Sequence, residues 1–319
     1  LSLVGSEMCI RDRQYAGLFE QDDRVDVLHL LAGTGPGALL RLRRSLPNRF
    51  DALIDAHGVT RSALLAASLG AGRRTRIVKD QARKLLLIHR KINRYQAGGP
   101  SMVGRYVDLA RRIGAAPPVD PPPRLAVPRT ARDAAGRLLA GFPGDRPPIA
   151  VAPGARHDTK RWPRERFAEL VSSLVSRGER IALVGGAGDR EICRAVAGEA
   201  EGVVDCCGGF SPVETAAVLA GCALLVTNDS APLHIAEAVG TPVVALFGPT
   251  VGQFGYAPRL PASVLVERTL ECRPCSRNGA RPCPLGTKEC LAEIPSARVL
   301  KAVLETLEGI RGGHMKGQA

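Results

Sequence analysis

Short apolar runs alternate with segments of helical periodicity along most of the chain. In the C-terminal half, residues 149–152, 180–184, 224–226 and 243–247 have the pattern of strands buried on both faces. Apolar residues at three- and four-residue spacing predict helices over 130–139, 165–176, 189–196, 212–219 and 233–240. This alternation of strand and helix is typical of a parallel sheet covered by helices.

The N-terminal half alternates in the same way, with strands predicted over 25–30 and 52–54 and helices over 61–69 and 84–95. Five prolines between positions 117 and 123 form a stiff, extended linker. A chain of 319 residues is also too long for one ordinary core. We therefore expect two Rossmann-like α/β domains over 14–123 and 124–319, with a cleft between them.

Residues 1–13, LSLVGSEMCIRDR, have no periodicity and no secretory design. The stretch resembles the translation of a transposon-derived adapter used for sequencing libraries. We expect residues 1–13 to be a non-native, adapter-derived segment. We also expect the first domain to be incomplete.

The formal charge of +13 favours anionic partners. An Arg-rich composition inherited from a GC-rich genome would give the same excess. No nucleic-acid-binding signature accompanies the charge, so we expect no nucleic-acid partner. The apolar segments are too short or too interrupted to span a bilayer.

The turn NDSAPLH, residues 228–234, lies between two buried strands at the start of a helix. Asp229 or Ser230 can cap this helix, and Pro232 fits its first turn because no hydrogen bond is lost there. Helix starts at the carboxyl edge of a parallel sheet favour anions. The turn is a candidate anion site, although such caps are often only caps.

Three further loops follow strands at the same edge. Lys160 and Arg161 can neutralise a diphosphate, with Arg156 and His157 as further donors. The loop GGAGDRE, 185–191, resembles a dinucleotide fingerprint only loosely because its glycine spacing differs. Phe210 precedes a helix capped by Ser211, where its ring can pack on a nucleobase or belong to the core.

The motifs PGA with KRWP, LVGG, NDSAPLHIAEAVGTP and FGPT occur in this order, after FDALIDAHGVTRSALLA in the first half. Together they resemble the ADP-heptose:lipopolysaccharide heptosyltransferases, glycosyltransferase family nine. The resemblance implies a GT-B fold and inverting transfer of heptose from ADP-heptose to the lipopolysaccharide inner core. It further implies a lipid A–core oligosaccharide acceptor and a cytoplasmic enzyme in peripheral contact with the inner membrane.

Carried over position by position, the resemblance implies roles for individual residues. Asp229, Lys160 and His234 become the catalytic candidates; Asp229 would hold heptose hydroxyls, and His234 would assist the leaving group or brace the turn. Glu191 or Asp189 would bind the ribose, and Phe210 the adenine. The donor-binding candidates are Gly154, Arg161, Asp189, Glu191, Phe210, Ser230, Ala231 and Pro232. The acceptor-binding candidates are Asp55, His57 and Arg61.

One element of the family pattern has no counterpart in this sequence. Family members begin with a strand and a glycine-containing loop ending in the Asp that serves as general base, which would lie upstream of Gln14. We therefore expect this polypeptide to lack its base, with Asp55 or His57 as weaker substitutes. No Asp-x-Asp motif lies near the site, so we expect no cofactor and no divalent cation.

Two other classes of function stay open. One is a GT-B enzyme that uses another nucleotide sugar, or a nucleotide-sugar epimerase. The other is a non-enzymatic nucleotide- or zinc-binding module. The second rests on Cys272, Cys275, Cys283 and Cys290, of which only the first pair has zinc-knuckle spacing. We favour thiols that order a loop over a structural zinc site.

Overall fold

The computed structural model describes residues 7–10, 13–33, 35–95, 101–119, 121–140 and 146–316. The chain divides into two compact units. Unit 1 comprises residues 1–81 and 98–121, and unit 2 comprises residues 82–97 and 122–319. Residues 1–6 and 11–12 of the adapter-like segment lie outside the described residues.

Strands and helices are numbered in chain order. The strands are β1 (Glu7–Ile10), β2 (Val27–Leu30), β3 (Arg49–Asp55), β4 (Gly70–Arg76), β5 (Ile149–Ala152), β6 (Ile181–Leu183), β7 (Val203–Asp205), β8 (Leu224–Asn228), β9 (Val243–Phe247) and β10 (Val264–Glu267). The helices are α1 (Pro36–Ser45), α2 (Thr60–Ser68), α3 (Gln81–Arg90), α4 (Met102–Arg112), α5 (Arg129–Ala140), α6 (Arg164–Val175), α7 (Arg190–Ala197), α8 (Pro212–Ala220), α9 (Ala231–Ala238), α10 (Glu289–Ala292) and α11 (Ser296–Lys316). Short 3-10 turns cover Arg13–Leu18, Asp158–Lys160, Ala187–Asp189 and Gly252–Phe254.

In its described part, unit 1 contains two separate parallel sheets of two strands each, β1–β2 and β3–β4. Its main apolar cluster consists of residues that are 5–8% exposed: Leu31, Ala38, Leu42, Leu46 and Leu69. Residues 7–10 of the adapter-like segment pair with residues 27–30 as a parallel strand. The non-native origin of residues 1–13 stays a prediction.

Unit 2 is built on one six-stranded parallel sheet in the order β10-β9-β8-β5-β6-β7. Strands β5, β6 and β9 are apolar throughout, as expected for strands covered by helices on both faces. Successive side chains alternate between those faces, so Ile149 and Val151 join one core cluster while Ala150 and Ala152 join the other. All four of these side chains are at most 1% exposed. The predicted parallel α/β sheet is thus confirmed here.

Several elements differ from the pattern-based expectations. The helix predicted over 84–95 ends at Arg90, since Lys91 adopts a left-handed φ of 56°. Leu87 and Ile88 on this helix cluster with Val251 and Phe254, so the segment 82–97 packs with unit 2 rather than with the first half of the chain. The pattern of apolar and polar residues did not predict helices α1 and α4 or strands β4, β7 and β10. Strand β4, GAGRRTR, has no apolar pattern and forms by pairing with β3.

Among the described residues, no helix combines the length and the apolar character needed to cross a membrane.

Candidate functional site

The site lies at the point where the strand order of the unit 2 sheet reverses. From β5, the next strand in sequence lies on one side and β8 lies on the other. The loops after β5 and β8 therefore diverge at the carboxyl edge and leave a crevice, which is where open α/β sheets bind ligands. Lys160 comes from the first of these loops and Asp229 from the second.

Lys160 and Asp229 form an ion pair across the crevice. Lys160 Nζ lies 2.6 Å from Asp229 Oδ2, and the two side chains are only 14% and 9% exposed. The hydroxyl of Thr250, in the loop after β9, donates to the same carboxylate oxygen at 2.6 Å. Three loops of one sheet edge thus meet at a single partly buried carboxylate. Thr250 lies within the quoted motif FGPT, but its role was not recognised from the sequence.

Asn228 fixes the relative position of the two central loops. Its side-chain amide donates to the carbonyl of Pro153 at 2.8 Å, and its Oδ1 accepts the N–H of Trp162 at 3.0 Å. Asn228 is fully buried at the end of β8. A polar residue that ends a buried apolar strand was the signal that could have identified it, because a buried amide needs partners.

The start of α9 differs from the predicted cap. Ser230 is the N-cap residue, yet its side chain makes no capping hydrogen bond, and its hydroxyl lies 3.3 Å from that of Thr227. The carboxylate of Asp229 goes to Lys160 and Thr250 instead. The first N–H groups of a helix have no partner inside the helix. The N–H groups of Ser230 and Ala231 can therefore serve an anionic ligand.

His234 lies in the first turn of α9, with its ring centroid 6.0 Å from that of Tyr256. Its crowded surroundings lower the pKa of the imidazole, mainly by desolvation and against the opposing charge of Asp229. Part of the residue nevertheless remains exposed to solvent.

The two candidate ribose ligands occupy different environments. Asp189 accepts the N–H of Gly186 at 2.9 Å, and its carboxylate lies where a Cβ on Gly154 would be, 2.2 Å from Oδ1. Gly154 is thus required for the close approach of this loop. Glu191, by contrast, is exposed at the start of α7. The geometry therefore favours Glu191 over Asp189 as the carboxylate available to bind a ribose.

A pocket of about 430 Å³ opens beside the crevice. Arg161 and Glu191 line it, together with Asp158, Trp162 and Lys288, whereas Lys160 and Asp229 do not. Arg161 also donates from Nε to the carbonyl of Ala155 at 2.9 Å. The pocket therefore brings together two of the donor-binding candidates, while the ion pair lies outside it.

Phe210 is half-buried and packs against the second core cluster of unit 2. Its loop is held to α7 in two ways. Arg190 donates to the carbonyl of Gly208 at 2.7 Å, and Cys193 is disulfide-bonded to Cys207. This pairing was not anticipated from the sequence.

The four cysteines proposed as zinc ligands are free thiols in this structure. In the part of the chain that the structure describes, the one group of three or more potential ligand atoms within 4.8 Å of one another is Cys193, Asp205 and Cys207. The favoured interpretation of Cys272, Cys275, Cys283 and Cys290, thiols that order a loop, stays a prediction, with structural zinc as its alternative. Burial raises the pKa of Cys290 to about 11, so this thiol stays protonated at neutral pH.

The acceptor candidates lie in unit 1 at the end of β3. Asp55 Oδ1 accepts the N–H groups of His57 and Gly58, at 3.1 and 2.8 Å, and Oδ2 is ion-paired with Arg76 Nε at 3.1 Å. Arg61 Nη1 is buried without a hydrogen-bond partner. Asp55 thus organises the turn that carries His57, and Arg61 retains donor capacity.

A model of glycosyltransferase family 9 (heptosyltransferase) matches residues 39–285, which is more than half of the chain. The chain belongs to this family. The chain is therefore a glycosyltransferase.

Two relatives and two solved structures illustrate the range of similarity. The chain is 34% identical over 248 residues to lipooligosaccharide heptosyltransferase 2 of Haemophilus influenzae, covering 74% of this chain and 70% of the relative. It is 35% identical over 166 residues to lipopolysaccharide heptosyltransferase 2 of Salmonella typhimurium, covering 49% of this chain and 48% of that protein.

The solved structures establish the fold. The family 9 glycosyl transferase of Veillonella parvula matches with a TM-score of 0.79 at 21% identity, over 95% of this chain and 88% of that one. E. coli ADP-heptose lps heptosyltransferase II matches with a TM-score of 0.69 at 23% identity, over 98% and 90%. The fold is thus the predicted GT-B fold.

Proposed function

We propose that this chain binds ADP-heptose in unit 2 and transfers the heptose to the lipopolysaccharide inner core with inversion of configuration. The observation that carries this proposal is the Lys160–Asp229 ion pair at the reversal point of the sheet. Family membership and the names of the relatives support the sugar and the acceptor.

The donor chemistry follows from the charges at the crevice. Departure of ADP leaves negative charge on the diphosphate, and stabilising that charge is the main task of the site. Lys160 supplies a cation, and the start of α9 supplies backbone N–H groups without needing a metal ion. Asp229, held by Thr250 and Lys160, presents its remaining acceptor capacity to sugar hydroxyls. Glu191 binds the ribose, and Phe210 contacts the adenine.

Inversion requires a base that deprotonates the attacking acceptor hydroxyl. Asp55 is unsuited to this role because one oxygen already accepts two N–H groups and the other is paired with Arg76. We assign Asp55, His57 and Arg61 to acceptor binding. Asp55 is therefore not proposed as the base, and donor binding is tested separately from transfer.

The lipid-borne acceptor implies that the enzyme works at the surface of the inner membrane, in peripheral contact with it. The formal charge of +13 supports an attraction to anionic lipids and to the phosphorylated core.

Calorimetry with ADP and a radiolabelled heptosyl-transfer assay on the full chain test the proposal. Lys160→Met should weaken ADP binding about 10- to 100-fold, since hydrogen bonds to charged groups contribute about 1.5–3 kcal/mol. Asp229→Asn should reduce any residual transfer more than it reduces ADP affinity.

Arg146→Met is the matched control, because Arg146 pairs with the largely buried Glu179, two residues before the amino end of β6. It should leave ADP affinity unchanged. A chain that binds UDP but not ADP would refute the donor assignment. Robust transfer that Asp55→Asn abolishes would make Asp55 the base.

A further inference from the structure

The segment from Cys272 to Cys290, called here the cysteine-rich loop, runs from beyond β10 to α10. It lies against Lys160 and reaches Asp229 through Thr250. We infer that this loop is a positioning element for the donor site. Arg273 acts through Thr250 on Asp229, and Gly279 acts directly on Lys160. The inference rests on the proposed role of this pair in donor binding.

The largely buried Arg273 holds the loop after β9 in position by hydrogen bonds to its backbone. Its side chain is only 5% exposed and pairs with Glu267 at 2.7 Å. Its Nε donates to the carbonyl of Gly248 at 2.5 Å and its Nη2 to that of Thr250 at 2.9 Å. A planar guanidinium can hold several acceptors in fixed directions. Arg273 therefore fixes the backbone from which Thr250 donates to Asp229.

Gly279 forms the wall against which the stem of Lys160 lies. A Cβ at this position would fall 2.8–3.1 Å from Cγ, Cδ and Cε of Lys160. The neighbouring Thr159 donates its hydroxyl to the carbonyl of Gly279. The N–H of Gly279 donates to the hydroxyl of the buried Ser276 at 2.9 Å. Glycine at this position thus leaves room for the extended lysine that reaches Asp229.

Further contacts anchor the loop at both ends and in the middle. Lys91 Nζ donates to the carbonyls of Cys272 and Pro274 at 2.7 and 3.0 Å. The N–H of Cys275 donates to the carbonyl of Pro249 at 3.1 Å. Near the far end, Lys288 Nζ lies 2.6 Å from Asp158 Oδ2. The cysteine-rich loop is therefore attached to the loop after β9 through Pro249 and to the loop after β5 through Asp158.

Gly279→Ala tests the contact with Lys160, and Gly286→Ala is its matched control. Both glycines lie in the loop with positive φ, 82° and 70°, so both substitutions strain the backbone, but a Cβ on Gly286 meets nothing within 4 Å. We expect Gly279→Ala to weaken ADP binding roughly tenfold, and Gly286→Ala to leave it unchanged. Fluorescence of the buried Trp162 checks that both variants fold.

A double-mutant cycle separates positioning from general destabilisation. In a Lys160→Met background, Gly279→Ala should cause little further loss of ADP affinity, because the ammonium through which it acts is already gone. Likewise, Arg273→Met should weaken ADP binding in the wild type and much less in a Thr250→Val background. Arg268→Met, which removes a neighbouring arginine bonded to Glu289, is the control.

Equal ADP affinities for Gly279→Ala and Gly286→Ala, or additive losses in both cycles, would overturn the inference. These outcomes differ from a failure of the proposed function, in which the wild-type chain itself binds no ADP. Because ADP binding is the readout, the test does not depend on transfer.

Discussion

Unit 1 and unit 2 contain the same kinds of local element, but they differ in the size of their sheets and in how completely their cores are buried. Unit 2 continues one parallel sheet through six strands and buries Ile149, Leu170 and Leu224 completely. Unit 1, as described, divides its strands between two sheets of two, and no member of its main cluster is fully buried. Small sheets bury little apolar surface and are marginal by themselves. Strand–helix alternation therefore predicts local elements, whereas a continuous sheet is needed to align loops into a site.

The largest effect expected from this difference in burial is that unit 1 unfolds before unit 2. Trp162 is the only tryptophan in the chain, and it is fully buried in unit 2, where its Nε1 donates to the carbonyl of Ile294. Its fluorescence therefore reports on unit 2 alone, while far-UV circular dichroism reports on both units. In urea we expect part of the dichroism to be lost before the fluorescence changes, with unit 2 more stable by several kcal/mol. Coincident transitions would remove the distinction between the units.

A matched pair of phenylalanines, one in each unit, allows the packing of the two cores to be compared by substitution. Phe167 is fully buried and packs edge-on against Trp162 with ring centroids 4.7 Å apart. Phe50 is half-buried beside the cluster of unit 1. Phe167→Ala should cost unit 2 about 3–5 kcal/mol, and Phe50→Ala roughly half as much or less in unit 1. Denaturant titrations followed by fluorescence and by dichroism measure the two losses. Similar costs would mean that unit 1 is packed as tightly as unit 2.

The disulfide gives a covalent contribution that is confined to unit 2. Cys193 and Cys207 are both buried and 14 residues apart in sequence. Cross-links that close a loop of this length contribute about 2–4 kcal/mol. Reduction should lower the free energy of unfolding of unit 2 by this amount, measured by Trp162 fluorescence with and without a dithiol. Cys222→Ala is a suitable control, since burial raises the pKa of that free thiol to about 12 and keeps it out of exchange. An unchanged stability on reduction would contradict the contribution.

The unit 2 elements were readily predicted because their apolar runs are long, doubly buried and bounded by turn residues. Strands β5 and β9 match their predicted bounds residue for residue. The carboxyl edge then followed from strand polarity alone, which is why Lys160 and Asp229 could be placed on neighbouring loops. Strand β4 could not be predicted, since its glycines and arginines oppose a strand and only pairing with β3 imposes one.

The parts of the site that were missed depend on contacts between residues far apart in sequence. Thr250, Arg273 and Gly279 follow no periodic pattern, and each acquires its role from a partner on another loop. Of the two candidate caps, Asp229 and Ser230, Ser230 is the N-cap residue but makes no side-chain capping bond. The carboxylate of Asp229 instead contacts Lys160 and Thr250, which are distant in sequence. Local chemistry predicts which residues can act, while long-range packing decides what they contact.

The smallest effect is expected at the helix caps, where the two units offer a matched pair. Ser211 forms a capping box with Glu214 at the start of α8 in unit 2, and Ser101 accepts the N–H of Gly104 at the start of α4 in unit 1. Each Ser→Ala change should cost about 1 kcal/mol. Only Ser211→Ala should shift the Trp162 transition.

Hydrogen bonds from the backbone N–H and then the hydroxyl of Ser211 lower the pKa of Glu214 below its unfolded value. Its contribution is therefore present above the unfolded pKa and is lost as pH falls through the folded one. Unfolding titrations at pH 7 and in the acid range, with Glu214→Gln to remove the titrating group, measure this loss. A Ser211→Ala cost that grows as the pH falls would contradict the assigned direction.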